Sequence, residues 1–269
     1  MIAYFCASRK KPHSMSVETA AELAGLRAAG YAVAKTLEMM RAYAKAGMST
    51  LELDEYGRGI LDSFGAQSAP YHDYGFPGCT CISVNEEVCH GIPSATKVLR
   101  EGDLVNIDVS AVLNGYYGDN GGSFILGEDR QELQQLVQAS EDILRLAIGQ
   151  VRHRLQISEL GGFIEKEAKA RGFRVIRNLC GHGIGRRLHE DPQEIPCFRD
   201  RYNRDRLQKG HVIALETFIS TRARMAEETN DGWTMTARGG GFVAQHEHTL
   251  IVTDAAPIVL TAANGIAYQ

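Results

Sequence analysis

Asp108 and Asp119 stand eleven residues apart on either side of Asn114-Gly115. That dipeptide between the strand-like runs Leu104 to Val112 and Tyr116 to Leu126 is the strongest short-range hairpin signal, because a type I′ turn needs positive φ at both central residues. If they form the turn, Leu113 faces Tyr116 and Asp119 lies opposite Ser110, one same-face step from Asp108. Diagonal neighbours on a sheet face are about 7 to 8 Å apart, too far for a hydrogen bond but suited to gripping adjacent cations. No Lys or Arg lies between Leu104 and Leu126, so two carboxylates on a sheet with Val105, Ile107 and Val109 need a positive partner from elsewhere.

Further acids occupy strand-like segments downstream. In Val212 to Phe218, Glu216 shares a face with Val212, Ala214 and Phe218; in Phe242 to Val252, Glu247 shares a face with Gln245, Thr249 and Ile251, with His246 and His248 turned the other way. The glycine-rich Cys180-Gly181-His182-Gly183-Ile184-Gly185 lets backbone and imidazole approach a site closely. Four carboxylates (Asp108, Asp119, Glu216, Glu247) would be neutralised by two divalent cations. An oxygen-rich set with one imidazole suits manganese, iron, cobalt or zinc. Such a pair sharing a water or hydroxide can polarise a carbonyl while the oxygen attacks, which is metal-assisted hydrolysis of an amide or ester. His90 and His189 are candidates for stabilising the tetrahedral intermediate or carrying a proton to the leaving amine.

The chain that must position these groups has 269 residues, 44% of them apolar, and a net charge of −4. That is enough to bury a full core. The balance gives no basic field for direct nucleic-acid binding and no polybasic run for a membrane surface. No run of about eighteen apolar residues occurs, and Met1 to Cys6 lacks the form of a secretory signal. We therefore expect a cytoplasmic protein acting on a small or peptide substrate. Six cysteines without a CxxC pair fit a reducing compartment. A zinc site from Cys79, Cys81, Cys89 and His90 is conceivable, but Cys79 and Cys81 leading into Ile82-Ser83-Val84 read better as a strand.

Residues 1–15, with Arg9-Lys10-Lys11-Pro12, show no periodicity and are expected to form a loose arm, leaving 16–269 as one catalytic domain. Ser16 is the expected N-cap, with Glu18 in the first turn, of a helix ending near Gly47. Ser49-Thr50-Leu51-Glu52 is a capping box for a second helix that stops at Gly65. A strand-like segment from Thr80 to Val88 precedes the aspartate hairpin. Two more helices are expected, from about Asp129 to Ile148 and from Ser158 to Arg171. A shift of 107 residues lays Glu52-Leu53 on Glu159-Leu160, Tyr56 on Phe163 and Gly65 on Gly172. The expectation is an α+β fold of two pseudo-symmetric halves with its seam near residue 127, an antiparallel sheet backed by helices.

With these residues in place, the chain resembles the type I methionine aminopeptidases of the pita-bread fold from about Ser16 onward. The resemblance rests on Val88-Cys89-His90-Gly91-Ile92-Pro93, Val105-Asn106-Ile107-Asp108-Val109, Gly118-Asp119, the Cys180 to Gly185 run, His189-Glu190 and Glu247-His248-Thr249. It implies removal of an initiator methionine from nascent proteins with a small second residue, by a monomer working near the ribosome. It also implies two divalent ions, with Asp119 and Glu247 bridging, Asp108 completing one site and His182 with Glu216 the other. Glu216 would further serve as general base, His90 and His189 would flank the scissile peptide, and the substrate's free amine would bind a metal. Phe76, Cys81, Trp233 and Leu188 would line the methionine pocket. The chain departs from the family pattern at Leu188 (usually Phe), Thr217 (Pro), His246 (Tyr), Asn120 (a hydroxyl residue) and in Tyr71-His72-Asp73-Tyr74, where Asp73 replaces a Tyr. The family's zinc-binding N-terminal extension is not expected here. Two alternatives share the fold: a proline-directed peptidase, whose relatives carry an additional N-terminal domain, and a pita-bread binding module that has lost catalysis. The type II methionine enzymes carry a long insertion where only 26 residues separate His189 from Glu216.

Overall fold

The computed structural model describes residues 17–269, so the expected arm and Ser16 lie outside the described residues. The first helix, α1 (Ala20–Tyr43), starts later than expected because Thr19 is the better cap. Its side chain accepts from the Glu22 amide while Glu22 reaches back to the Thr19 N–H, closing a capping box that Ser16 and Glu18 could not form. The Ser49–Glu52 box opens α2 (Thr50–Ser63) as anticipated. Next come β1 (Gln67–Ser68), the short α3 (Ala69–Tyr74), β2 (Cys81–Val84) and β3 (Glu87–Cys89). The expected Thr80 to Val88 strand is thus two strands, divided where Asn85 takes a φ of 55°. Buried Asp54 of α2 accepts hydrogen bonds from the Cys79 and Thr80 amides and so fixes the entry into β2.

The aspartate hairpin is β4 (Leu104–Leu113) and β5 (Tyr116–Ile125). Asn114 (φ 52°) and Gly115 (φ 76°) form its turn, and the register pairs Leu113 with Tyr116 and Ser110 with Asp119, as read from the sequence. The second half follows with α4 (Gln134–Ile148), α5 (Ile157–Ala170), β6 (Arg174–Val175), β7 (Cys180–Gly183), β8 (Glu190–Pro196) and β9 (Val212–Ser220). It ends with β10 (Ala226–Glu228), β11 (Met235–Ala237), β12 (Val243–Ile251) and β13 (Ile258–Val259). The third expected helix begins at Gln134 rather than Asp129, because the Asp129 carboxylate accepts from the amides of Leu133 and Gln134 and caps the helix from outside.

The 107-residue shift carries α2 onto α5 and β1 onto β6 end for end. Gly65 and Gly172 end the two helices at φ values of 70° and 84°. Among the described residues the main sheet runs β1-β4-β5-β12-β9-β7-β8, with β2 on β4, β6 on β9 and β13 on β12, all antiparallel. The two halves join where β5 meets β12. Helix α1 packs on β4 and β5, and α4 on β9 and β12. A Cβ on Gly118 would touch the Ala29 backbone at 3.1 Å, so α1 covers the face carrying Gly118 and Asn120. Asp119 therefore points to the opposite face. No described helix is long and apolar enough to cross a membrane.

Candidate metal centre and cleft

Five neighbouring strands each present one of the expected ligands: Asp108 from β4, Asp119 from β5, Glu247 from β12, Glu216 from β9 and His182 from β7. Glu247 and Glu216 are direct cross-strand partners. His182 pairs with Ala214, one same-face step from Glu216. One ligand atom from each of Asp119, His182 and Glu247 lies within 4.8 Å of the others, and His182 Nε2 is 3.7 Å from Asp119 Oδ2. The flanking glycines permit this approach, since a Cβ on Gly181 would sit 2.4 Å from the Ala214 oxygen and one on Gly183 would sit 2.2 Å from the Asp191 oxygen.

The acids are held by groups that the sequence reading passed over. Gln245 Nε2 donates to both Glu216 Oε2 (3.2 Å) and Glu247 Oε2 (3.1 Å), and its own oxygen accepts from Asn106 Nδ2 at 2.8 Å. Ser110 Oγ donates to Asp119 Oδ1 at 2.7 Å. Thr249 Oγ1 accepts from the Asp119 N–H and donates to the Asp119 carbonyl, which pins β5 to β12 at this point. His182 Nδ1 lies 2.9 Å from the Gly183 oxygen; a carbonyl only accepts, so Nδ1 carries the proton and Nε2 faces the acids with its lone pair. Gln245 was visible as a face-mate of Glu247, and that shared face was the signal for its role.

Buried like charges set the electrostatics. Burial raises Asp119, Glu216 and Glu247 well above the usual carboxylate range, with further increases from Glu247 on Asp119, from Asp108 on Glu216 and from Glu216 on Glu247. Burial also pushes Asp108 up to about 6, against a lowering hydrogen bond with Asp119. Asp108 Oδ1 is buried with no hydrogen-bond partner. An orphaned carboxylate oxygen beside three more acids and an imidazole lone pair is the environment that a divalent cation relieves, and the donor set fits such ions.

His90 and His189 line the same cleft as the acids, a cavity of about 720 Å³. Burial lowers His90 to about 4 and holds His189 well below its usual value, with His182 and His90 adding to the latter, so both rings are neutral at pH 7. His90 has a φ of 54°, an uncommon conformation for a non-glycine residue that recurs at active sites. The rings of His182 and His189 are 4.2 Å apart. Tyr74, not singled out from the sequence, places its hydroxyl 2.7 Å from His189 Nδ1.

Phe76, Cys81, Trp233 and Leu188 all line the cleft, with Phe76 and Trp233 edge to face at 5.2 Å. Cys89 and Met235, paired across β3 and β11, complete its apolar side. Cys79, Cys81 and Cys89 are free thiols, with Cys81 and Cys89 held well above the normal thiol range through burial and then nearby acids; among the described residues the metal-type ligand atoms that come together are those of Asp119, His182 and Glu247, not these thiols. Three of the departures from the expected pattern sit on the far face of the sheet. Thr217 Oγ1 is 3.1 Å from Ser140 Oγ of α4, Asn120 Nδ2 donates to the Val109 carbonyl while its oxygen accepts from Asn264, and His246 is fully buried opposite Thr217. Leu188 lines the cleft, and Asp73 accepts from the hydroxyl of Tyr117, which shares the face of Asp119 on β5.

A profile of metallopeptidase family M24 matches residues 24–254. The chain is 47% identical over 247 residues to "Methionine aminopeptidase 2" of Bacillus subtilis (strain 168), covering 92% of this chain and 99% of that protein. It is 37% identical over 249 residues to the methionine aminopeptidase of Escherichia coli (strain K12), covering 92% and 94%. The crystal structure of a methionine aminopeptidase from Thermotoga maritima superposes with a TM-score of 0.86 at 33% identity, over 92% of this chain and 99% of that one.

Proposed function

The chain belongs to metallopeptidase family M24, and from that premise we propose that it removes the initiator methionine from proteins whose second residue is small. The observation that carries this reading is the convergence of five ligand-type side chains from adjacent strands beside an apolar cleft. Asp108, Asp119, His182, Glu216 and Glu247 would hold two divalent cations, drawn from manganese, iron, cobalt and zinc, with Asp119 and Glu247 shared. Such ions supply Lewis acidity toward a carbonyl oxygen and bring the pKa of a water into the neutral range.

The protein's own groups do the rest. Glu216, whose burial beside Asp108 makes its carboxylate a stronger base than usual, takes the proton of the attacking water and returns it toward the leaving nitrogen. His90 and His189, both neutral, donate hydrogen bonds to the developing oxyanion and to the departing amide. Phe76, Trp233, Cys81 and Leu188 exclude water and receive the methionine side chain, for which a surface of aromatic and sulfur groups is well suited. On this reading the partners are nascent-chain N-termini, met by a monomer in the cytoplasm close to the ribosome.

Release of methionine from Met-Ala-Ser, measured with each metal in turn and then with the first and second residues varied, tests the assignment. Metal-dependent release that falls as the second residue grows is expected. Preference for an Xaa-Pro peptide would move the chain to the proline-directed enzymes, and no release with any metal by folded protein would make it a binding module.

A further inference from the structure

The segment Tyr71-His72-Asp73-Tyr74, one of the places where this chain departs from the pattern it resembles, forms most of α3 and brings Tyr74 to the cleft. Its placement is fixed at both ends. Ser68 Oγ caps the helix and donates to the Cys79 carbonyl at 2.7 Å, and Gly75 ends it with a φ of 72°. Between them, Asp73 accepts from the Tyr117 hydroxyl at 3.1 Å. Tyr117 belongs to β5, two residues before Asp119, and its N–H donates to the Gly185 carbonyl at 2.8 Å, in the loop that leads to His189. One β5 residue therefore ties down both the helix bearing Tyr74 and the loop bearing His189. The Tyr74 hydroxyl then meets His189 Nδ1 at 2.7 Å, with ring centroids 5.6 Å apart.

We propose that Tyr74 is the positioning residue for His189: its hydroxyl donates to Nδ1, so that Nε2 carries the ring's proton and presents it to the bound peptide, while Asp73 and Tyr117 hold the hydroxyl in place. A phenol is a stronger acid than a neutral imidazole N–H, so donation from the hydroxyl into the ring lone pair is the favoured sense of this bond. The reverse sense would leave Nε2 a bare acceptor, with no proton for a carbonyl oxygen or a leaving nitrogen. Selecting the tautomer through the nitrogen that does not face the substrate is a general means of orienting a working histidine. Asp73 thus has a task here that does not require the tyrosine usual at its position.

This inference rests on the aminopeptidase reading, and kinetics of the metal-loaded full chain on Met-Ala-Ser separate the two. A complete acid–base group contributes about 10²- to 10⁴-fold, and loss of the bond that orients it should take a part of that. Tyr74→Phe is expected to lower kcat about tenfold, leaving KM and metal content unchanged. In a His189→Ala background the same substitution should have no further effect, because the group it orients is gone. Asp73→Ala should reproduce the loss in kcat, and Asp73→Asn, which keeps an acceptor for Tyr117, should restore most of it. A Tyr74→Phe protein with the parental kcat, or an equal loss in both backgrounds, would overturn the positioning role while leaving the aminopeptidase standing. A folded parent that releases no methionine would overturn both.

Discussion

Removing metal should make stability fall as pH rises, in a window where an ordinary protein of this composition changes little. Asp119, Glu216 and Glu247 sit well above the carboxylate range in the metal-free fold because they are buried beside one another. In the unfolded chain all three have lost their protons by about pH 6. A fold that keeps protons the unfolded chain has released is stabilised below the unfolded pKa and loses that stability as pH climbs toward the folded one. Asp108, raised only to about 6, has discharged its share by neutrality. His90, His182, His189, His211, His246 and His248 act in the opposite sense, since their lowered pKa values give stability that is present above about pH 6.5 and lost in acid. The raised thiols of Cys81 and Cys89 add a falling slope only where unfolded thiols ionise, near pH 8.5. Between the histidine range and the thiol range the slope is therefore set by the protons that these acids retain. Each proton retained by the fold contributes about 1.4 kcal/mol per pH unit, and for a chain of this length that is roughly 3 to 5 °C in Tm. Calorimetry in a chelator should show this fall, and calorimetry with manganese or cobalt should not, because the cation displaces the protons. A chelated protein whose Tm stays level or rises across the window would refute the account of the buried acids.

Other substitutions divide the site by role. Asp108→Ala and Glu247→Ala should abolish peptide release and lower bound metal, whereas His90→Ala and His189→Ala should keep metal and lose turnover; full metal occupancy in Glu247→Ala would contradict the ligand assignment. Gln245→Leu removes the amide shared by Glu216 and Glu247, so metal affinity measured by competition with a chelator should weaken about 10- to 100-fold. Leu188 is smaller than the aromatic residue expected at its position, and it is buried at the cleft wall in the apolar cluster that includes Ile184 and Tyr117. Peptides beginning with norleucine or leucine should be cleaved more readily by the parent than by Leu188→Phe, and equal selectivity would reject that reading.

Strand-borne chemistry was legible in the sequence because side-chain alternation is rigid. Once Asn114-Gly115 set the turn, the register of β4 and β5 and the shared face of Asp108 and Asp119 followed, and the structure pairs Leu113 with Tyr116 and Ser110 with Asp119 as read. Glu216 and Glu247 were assigned to one face each, but their direct pairing across β9 and β12 is a long-range register that local alternation cannot supply. The same limit concealed Gln245 as the link between them and Tyr74 as the partner of His189, 115 residues away in sequence. The start of α1 was misplaced because Ser16 and Thr19 are both good caps in isolation, and only Thr19 has a glutamate three residues on. Thr217, His246 and Asn120 depart from the family pattern beside the ligands, and alternation turns them to the far face of the sheet, where Thr217 meets Ser140 of α4 and Asn120 meets Asn264.

Five side chains from five adjacent strands are proposed to hold two cations together. Anomalous diffraction from crystals equilibrated with manganese or cobalt tests this arrangement most directly. Two peaks about 3.5 to 4 Å apart are expected, both reached by Asp119 and Glu247, one also by Asp108 and the other by His182 and Glu216. Peaks confined to surface carboxylates, with none among these five residues, would contradict it.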